Sequence, residues 1–464
     1  MKLSIETRTI QPVPETERHG KPWSLFTLWF SPNLNVVIVI IGSLTVTVGL
    51  NFWWAVTAIV VGNLLGVMFM AFHSAQGPKL GLPQMIQSRA QFGSLGNAIP
   101  SLAAIVDGLG FTALALIVSA QSLLIVVHMP MSLAILLSGI VVFVVVLIGY
   151  DLIHRFQRYL AIVLAALTVL WTVQALTAKA GPAPTYDITA GTFLLAVSLI
   201  AASVIGWAPF VADYSRYLPS DTSPSRVFWY TYLGAFLSSA WSEILGAGLA
   251  VIAFGPFTRD GVGYLVGLSP KYMEVPLAIV LILSQISPSV LEVYTPVLTA
   301  ANLAQPFNGL RWLLSRNGRL TLVAAATAIA TGAALWANHV AGFDTDMTNL
   351  LLFLIYVLAP WTAINLVDFY VVRHGQYSVA ELFKARGAYG LVNVPVMIIY
   401  LATIGIEFLF MNSALFEGPV ARAMGGADIA WEVAVVVAGG LYYFYRRYYA
   451  VAPAAVPESV AASG

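Results

Sequence analysis

The sequence predicts an all-α integral membrane protein with twelve transmembrane helices, and three observations carry that prediction. Of 464 residues, 59% are hydrophobic and only 9% are Asp, Glu, Lys or Arg, against roughly 25% charged in a soluble chain. The apolar residues gather into segments that reach the 20 or so residues a helix needs to cross a bilayer. The basic residues fall mainly on one side of those segments. An ionised side chain costs about 2.5–3.5 kcal/mol at mid-bilayer on insertion scales, so an exterior this poor in charge is one that faces lipid.

The segments run over 24–49, 52–73, 98–127, 131–150, 157–177, 190–213, 227–255, 274–303, 319–339, 347–373, 391–412 and 428–449. The shortest separation is His128-Met129-Pro130. With the N-terminus placed inside, 18 of the 22 Lys and Arg fall on the inner side, and only Lys179, Arg259, Lys271 and Arg422 fall outside. Cytoplasmic segments are enriched in basic residues, and an odd number of spans would scramble this split. Both termini are therefore expected in the cytoplasm, in a multi-pass protein of the cell's inner (plasma) membrane.

Residues 1–22 carry both signs of charge and no apolar run of seven, so they read as a cytoplasmic segment rather than a cleavable signal. A transmembrane domain over 23–450 follows. The Ala/Pro-rich stretch 451–464 reads as a disordered cytoplasmic tail. The absence of Cys excludes disulfides, thiol catalysis and Cys-ligated metal. A net charge of +1 argues against nucleic acid as a partner. The six His are scattered over span ends and loops, with no HExxH, no Ser/His/Asp cluster and no phosphate loop. Neither an enzyme nor a bound cofactor is expected.

Two spans are interrupted by proline near their middles. The first breaks at Ser31-Pro32-Asn33-Leu34-Asn35, the sixth at Gly206-Trp207-Ala208-Pro209-Phe210. Proline removes a helical donor and clashes with the preceding turn, and the freed carbonyls must line a cavity or be buried in protein. Pro32 and Pro209 stand 177 residues apart, the length of five spans with their loops. Interrupted helices at matching places in two halves mark the central site of a transporter. Asn33 and Asn35 beside one break, and Trp207 beside the other, fit that reading better than an ordinary kink does.

Four acids fall inside apolar segments: Asp107, Glu243, Glu292 and Glu407. An ionisable residue there is a functional hypothesis by default. Glu292 stands out, because Ser284, Gln285, Ser287, Ser289, Tyr294 and Thr295 surround it and Pro288 loosens the helix at that depth. Asp107, Glu243 and Glu407 are expected to lie nearer a span end than the segment bounds suggest or to bond between helices, rather than to contact substrate. Trp23, Trp29, Trp53, Trp54 and Trp229 are expected in the interfacial belt, whereas Trp207 at its break is placed to stack on a planar ligand.

Several stretches resemble the nucleobase–cation symporters of the purine–cytosine permease type: GSLTVTVGL after the first break, GPKLGLPQMIQSRAQFG (77–93), GYDLIHRFQRYL (149–160), WAPFVADYSRYLP (207–219) and APWTAINLVDFYVVRHGQY (359–377). The resemblance covers nearly the whole membrane domain. It implies two inverted five-helix repeats, about 24–177 and 190–373, plus two C-terminal helices within 391–449. Substrate and cation would lie between a bundle of spans 1, 2, 6 and 7 and a scaffold of spans 3, 4, 8 and 9.

Carried over residue by residue, the resemblance implies that Asn35 contacts the base, with Asn33 beside it. Trp207, flanked by Gly206 and Phe210, would stack on the base, and Phe111 would stand where the family usually has a second large aromatic. Glu292 replaces the amide that normally reads the base edge. A carboxylate there suits an amidine-like edge or carries a coupled proton itself. The family's sodium site would fall on the Ser31 and Leu34 carbonyls and on Ser284 and Ser287. Those two hydroxyls are not adjacent, so H+ coupling is at least as well supported as Na+.

The expected function is a secondary active importer, working as a monomer in the lipid bilayer, that takes up cytosine or a purine by symport with H+ or Na+. The alternatives are a related heterocycle (allantoin, a hydantoin, uracil or a thiamine-precursor pyrimidine) and, in another class, a channel or sensor without coupled transport.

Overall fold

The computed structural model describes residues 10–449 apart from 149, 183 and 340–342; the side chains of 148, 150–158, 308 and 343–346 are also outside that description. The tail 451–464, the first nine residues with Lys2 and Arg8, and the side chains of Arg155 and Arg158 therefore lie outside the described residues. Within them the chain is helical, with no β-strand and a single isolated bridge between Asn412 and Glu417. In lipid every backbone polar group must be satisfied within its own segment, which helices achieve.

Fourteen helices organise the fold: α1 (Ser24–Phe30), α2 (Val36–Thr47), α3 (Phe52–Leu80), α4 (Ala98–Val126), α5 (Met131–Ile148), α6 (Tyr150–Thr177), α7 (Ala190–Ile205), α8 (Val211–Ser215), α9 (Pro224–Ile252), α10 (Glu274–Ala304), α11 (Arg316–His339), α12 (Phe343–Leu366), α13 (Val394–Glu407) and α14 (Ala430–Tyr448). Among the described residues, seven helices are long and apolar enough to cross a membrane, and four shorter apolar ones accompany them. Local chemistry sets their ends. Asn51 caps α3 by accepting from Trp54 N–H at 3.1 Å, and Gly81 ends that helix with φ +65°. Thr189 and Thr192 form a capping box at the start of α7.

The helix α3 continues seven residues beyond the apolar stretch that ends at Phe72-His73. Its last turns carry His73, Ser74 and Gln76, all fully buried in protein, so apolarity alone stops short of the true end. Helix α12 passes into a π-helical stretch, Val367–Val372. There the buried Asp368 carboxylate accepts from Tyr442 at 2.6 Å, Gln91 at 2.7 Å, Tyr377 at 2.8 Å and Arg373 at 3.2 Å. That one side chain ties α14, the short helix Arg89–Phe92 after α3 and the segment after α12 together.

Two large apolar cores stand out beside two smaller clusters. One is built by α4, α5, α10 and α11. The larger joins α1, α2, α3, α7 and α9 with α12 to α14, with α3 packed on α7 and α9, and α9 on α1 and α2. Between the two, α4 crosses α10 closely at Gly108, where any side chain would run into the Glu292 carbonyl and the Pro296 ring.

The N-terminal segment is held down rather than trailing. Val13 N–H donates to Gly81 O at 3.0 Å, Arg18 Nη1 to Pro78 O at 2.5 Å, and His19 N–H to Tyr217 O at 2.7 Å. Glu15 accepts from Ser220 N–H at 3.0 Å, and that bond holds its carboxyl below the usual range.

Candidate functional site

Both proline-marked breaks are present as interruptions of helix: residues 31–35 separate α1 from α2, and 206–210 separate α7 from α8. At the first, Asn35 caps α2 by accepting from Ile38 N–H at 3.2 Å and donates to Pro32 O. Asn33 donates to Trp29 O at 3.0 Å, while its own carbonyl accepts from Ser242 at 2.8 Å. At the second, tight turns carry the chain through, with Ala208 N–H to Ile205 O at 2.8 Å and Phe210 N–H to Trp207 O at 3.0 Å.

A partly open cavity, about 410 Å3 of empty space, lies between these breaks and helices α4 and α10. Helix α4 contributes Asp107 and Phe111, one turn apart on one face. Helix α10 contributes Gln285, Pro288 and Glu292 at the spacing of one helical face. Pro288 and Pro296 lie within α10. Because neither has an N–H, the carbonyls of Ser284 and Glu292 lose their helical partners at this depth.

The apolar part of the wall is aromatic: Trp207, Phe210 and Phe111. Trp29 packs tilted against Trp207, with centroids 5.3 Å apart, and Tyr214 stands edge-on to Trp29 at 5.6 Å. Tyr214 donates to Leu291 O at 3.3 Å, and Arg216 Nη2 reaches Tyr294 OH at 3.4 Å. These rings form a floor on the side of the N-terminal segment. Trp29 is fully buried there, which corrects the expectation that it sits in the interfacial belt. Trp23, Trp53, Trp54 and Trp229 are exposed as that reading requires.

The polar part of the wall is made of acceptors. Asn33 Oδ1, both Asp107 oxygens, Gln285 Oε1 and Glu292 Oε2 are buried without a hydrogen-bond partner. An unmet buried polar atom costs about 1–3 kcal/mol, more if charged, so such a concentration marks a place where the fold accepts strain for function. Asp107 was expected to bond between helices; its oxygens do not, and they lie against Gly206 instead. Glu407 likewise has no partner. Glu243 does bond between helices, accepting from Asn63 on α3 and from Ser203 Oγ on α7 at 3.2 Å.

Asn33, Asn35, Phe111, Gly206, Trp207, Phe210 and Glu292 thus all line one cavity. The four residues read as cation-coupling do not converge in the same way. Leu34 and Ser284 line a second, smaller cavity of about 230 Å3 beside Asn35. The Ser31 carbonyl accepts Leu34 N–H at 3.2 Å, and Ser287 lines neither cavity. Among the described residues no cluster of three or more His, Cys, Asp or Glu offers a metal site. Asp107 and Gln285 were the residues undervalued from sequence. Their signal was spacing: Asp107 lies one turn from Phe111, and Gln285 two turns from Glu292.

Broken helices that bury a polar and aromatic cavity inside an all-helical membrane protein define a transporter, not an enzyme. The particular family follows from comparison: the chain belongs to the permeases for cytosine/purines, uracil, thiamine and allantoin, whose sequence profile matches residues 12–434. It is 39% identical over 449 residues to the putative purine-cytosine permease YxlA of Bacillus subtilis (strain 168), covering 96% of both chains. It is 28% identical to the purine-cytosine permease fcyB of Emericella nidulans, over 96% of this chain and 89% of that one. Its fold matches the nucleobase-cation-symport-1 family transporter Mhp1 in a closed conformation with bromovinylhydantoin bound. The TM-score is 0.77 at 18% identity, covering 96% of each chain.

Proposed function

We propose that this protein imports a nucleobase, cytosine or a purine, by symport with H+ through alternating access. The observation that carries the reading is the cavity wall, in which aromatic rings and unpartnered amide and carboxyl oxygens meet at two helix breaks. A flat heterocycle with an N–H-bearing edge satisfies both halves of such a wall. Trp207 and Phe111 would hold its faces and Asn33, Asn35 and Glu292 its edge, with Gly206 and Phe210 shaping the slot.

The reading extends to topology. Ten of twelve spans would form two inverted five-helix repeats over about 24–177 and 190–373, the last two following them, with both termini in the cytoplasm and the protein in the inner (plasma) membrane. The bundle would rock against the scaffold about the cavity. The protein would work as a monomer.

H+ is favoured over Na+ because two carboxyl groups, Asp107 and Glu292, face the central cavity, whereas of Ser31, Leu34, Ser284 and Ser287 only Leu34 and Ser284 line a common space. A second reading, a related heterocycle such as allantoin, a hydantoin, uracil or a thiamine-precursor pyrimidine, takes support from the breadth of substrates in the family's description. The test is uptake of labelled cytosine, hypoxanthine, uracil and allantoin into proteoliposomes under an imposed pH or sodium gradient. Accumulation above the outside concentration, lost with an uncoupler, is expected. Equilibration without accumulation indicates a channel and ends the symporter reading.

A further inference from the structure

We infer that the central cavity selects a base that is rich in N–H donors and presents an amidinium edge, with a protonated ring nitrogen beside an exocyclic amino group, over one whose edge carries carbonyls. The inference rests on the cavity being the substrate site, as proposed above.

Two independent features point the same way. The first is a pair of carboxyl groups from different helices, Asp107 on α4 and Glu292 on α10, facing one cavity. The second does not involve acids. Asn33 and Gln285 are also buried against that space, and in both the amide nitrogen is already engaged while the amide oxygen is not. Asn33 Nδ2 donates to Trp29 O at 3.0 Å and Gln285 Nε2 to Ser284 Oγ at 3.1 Å, while Asn33 Oδ1 and Gln285 Oε1 have no partner. The amide orientation at Asn33 is set by its neighbour, because a backbone carbonyl accepts only from the NH2 end.

The result is a one-signed wall: acceptor oxygens from four residues, with no Lys, Arg or His among those lining the cavity. A carbonyl-edged base would bring oxygen against oxygen and leave these acceptors unmet. A donor-rich edge meets them, and a planar cation gains further from the faces of Trp207 and the nearby phenylalanines. Discrimination of this kind is strong, because a site built to pair polar groups leaves them unpaired with the wrong ligand.

The test is a matched series on one ring, 2,4-diaminopyrimidine, cytosine and uracil, bound to the purified full chain in detergent and measured by calorimetry. Four proteins are compared: wild type, Asp107→Asn, Glu292→Gln and Trp207→Ala, each checked for an intact thermal transition. Hydrogen bonds to charged groups contribute about 1.5–3 kcal/mol, so wild type is expected to prefer the diamine over uracil by about tenfold or more. Either carboxamide variant should lose that margin by weakening the diamine alone, and Trp207→Ala should weaken all three. If uracil binds as tightly as the diamine in a Trp207-dependent way, the inference is overturned and the transport reading stands. If none of the three binds in a Trp207-dependent way, both fall. The inference also fails if both carboxamide variants keep the wild-type ranking.

Discussion

The Asp107 carboxyl rests against the α-carbon of Gly206: a methyl group added there would stand 2.9 Å from Oδ1 and 3.2 Å from Oδ2. The span-six break and the α4 acid are therefore fitted to each other, and the absence of a side chain at 206 is what lets Asp107 reach the cavity. Gly206→Ala is expected to push the carboxyl aside. Overpacking of this kind costs about 1–3 kcal/mol, so cytosine uptake should fall about tenfold at unchanged protein level. Wild-type uptake in this variant would show that the fit is not used.

Trp207 offers an aromatic face inside the cavity, steadied by Trp29. Stacking on a base is worth roughly 1–3 kcal/mol. Trp207→Ala should weaken ligand binding by about tenfold to a hundredfold, while Trp207→Phe keeps most of the affinity. Equal affinities in all three proteins would place the ligand elsewhere.

Glu243 joins α9 to α3 and α7 through Asn63 and Ser203. Glu243→Leu removes the shared acceptor and leaves one N–H of the buried Asn63 amide without a partner, costing about 1–3 kcal/mol, while Ser203 Oγ keeps its bond to Ile200 O at 2.8 Å. A lower thermal midpoint in detergent is the expected readout. Because Glu243 does not line the cavity, the ligand ranking of the surviving folded protein should not change. A variant with wild-type stability would mean that the acid has some other task.

Asp368 accepts from four side chains, including Tyr442 on α14 and Gln91 in the short helix Arg89–Phe92 that follows α3. Breaking a buried charged network costs about 3–5 kcal/mol, so Asp368→Ala should be among the most destabilising single changes. Thermal denaturation followed by fluorescence would show it, and a shift smaller than that of Glu243→Leu would contradict this ranking.

Much of this architecture was legible in the sequence, and the reasons are physical. Lipid admits few ionised groups and no unsatisfied backbone, so scarce charge and mid-span prolines are loud signals: both breaks lie at Pro32 and Pro209, and Glu292 faces the cavity beside them. What escaped depends on partners that a single sequence does not display. Trp29 resembled an interfacial tryptophan until α1 was seen to turn it onto Trp207. Asp107 resembled an interhelical acid until its neighbour proved to be a glycine. The last turns of α3 looked too polar for a span because His73, Ser74 and Gln76 find their bonds inside the protein.

The hydrogen bonds from residues 13–19 to Gly81, Pro78 and Tyr217 have a mechanical side. They harness the chain ahead of α1 to the end of α3 and to the turn after α8. The chain ahead of α1 thus joins two elements that lie more than a hundred residues apart in sequence before it enters the first broken span.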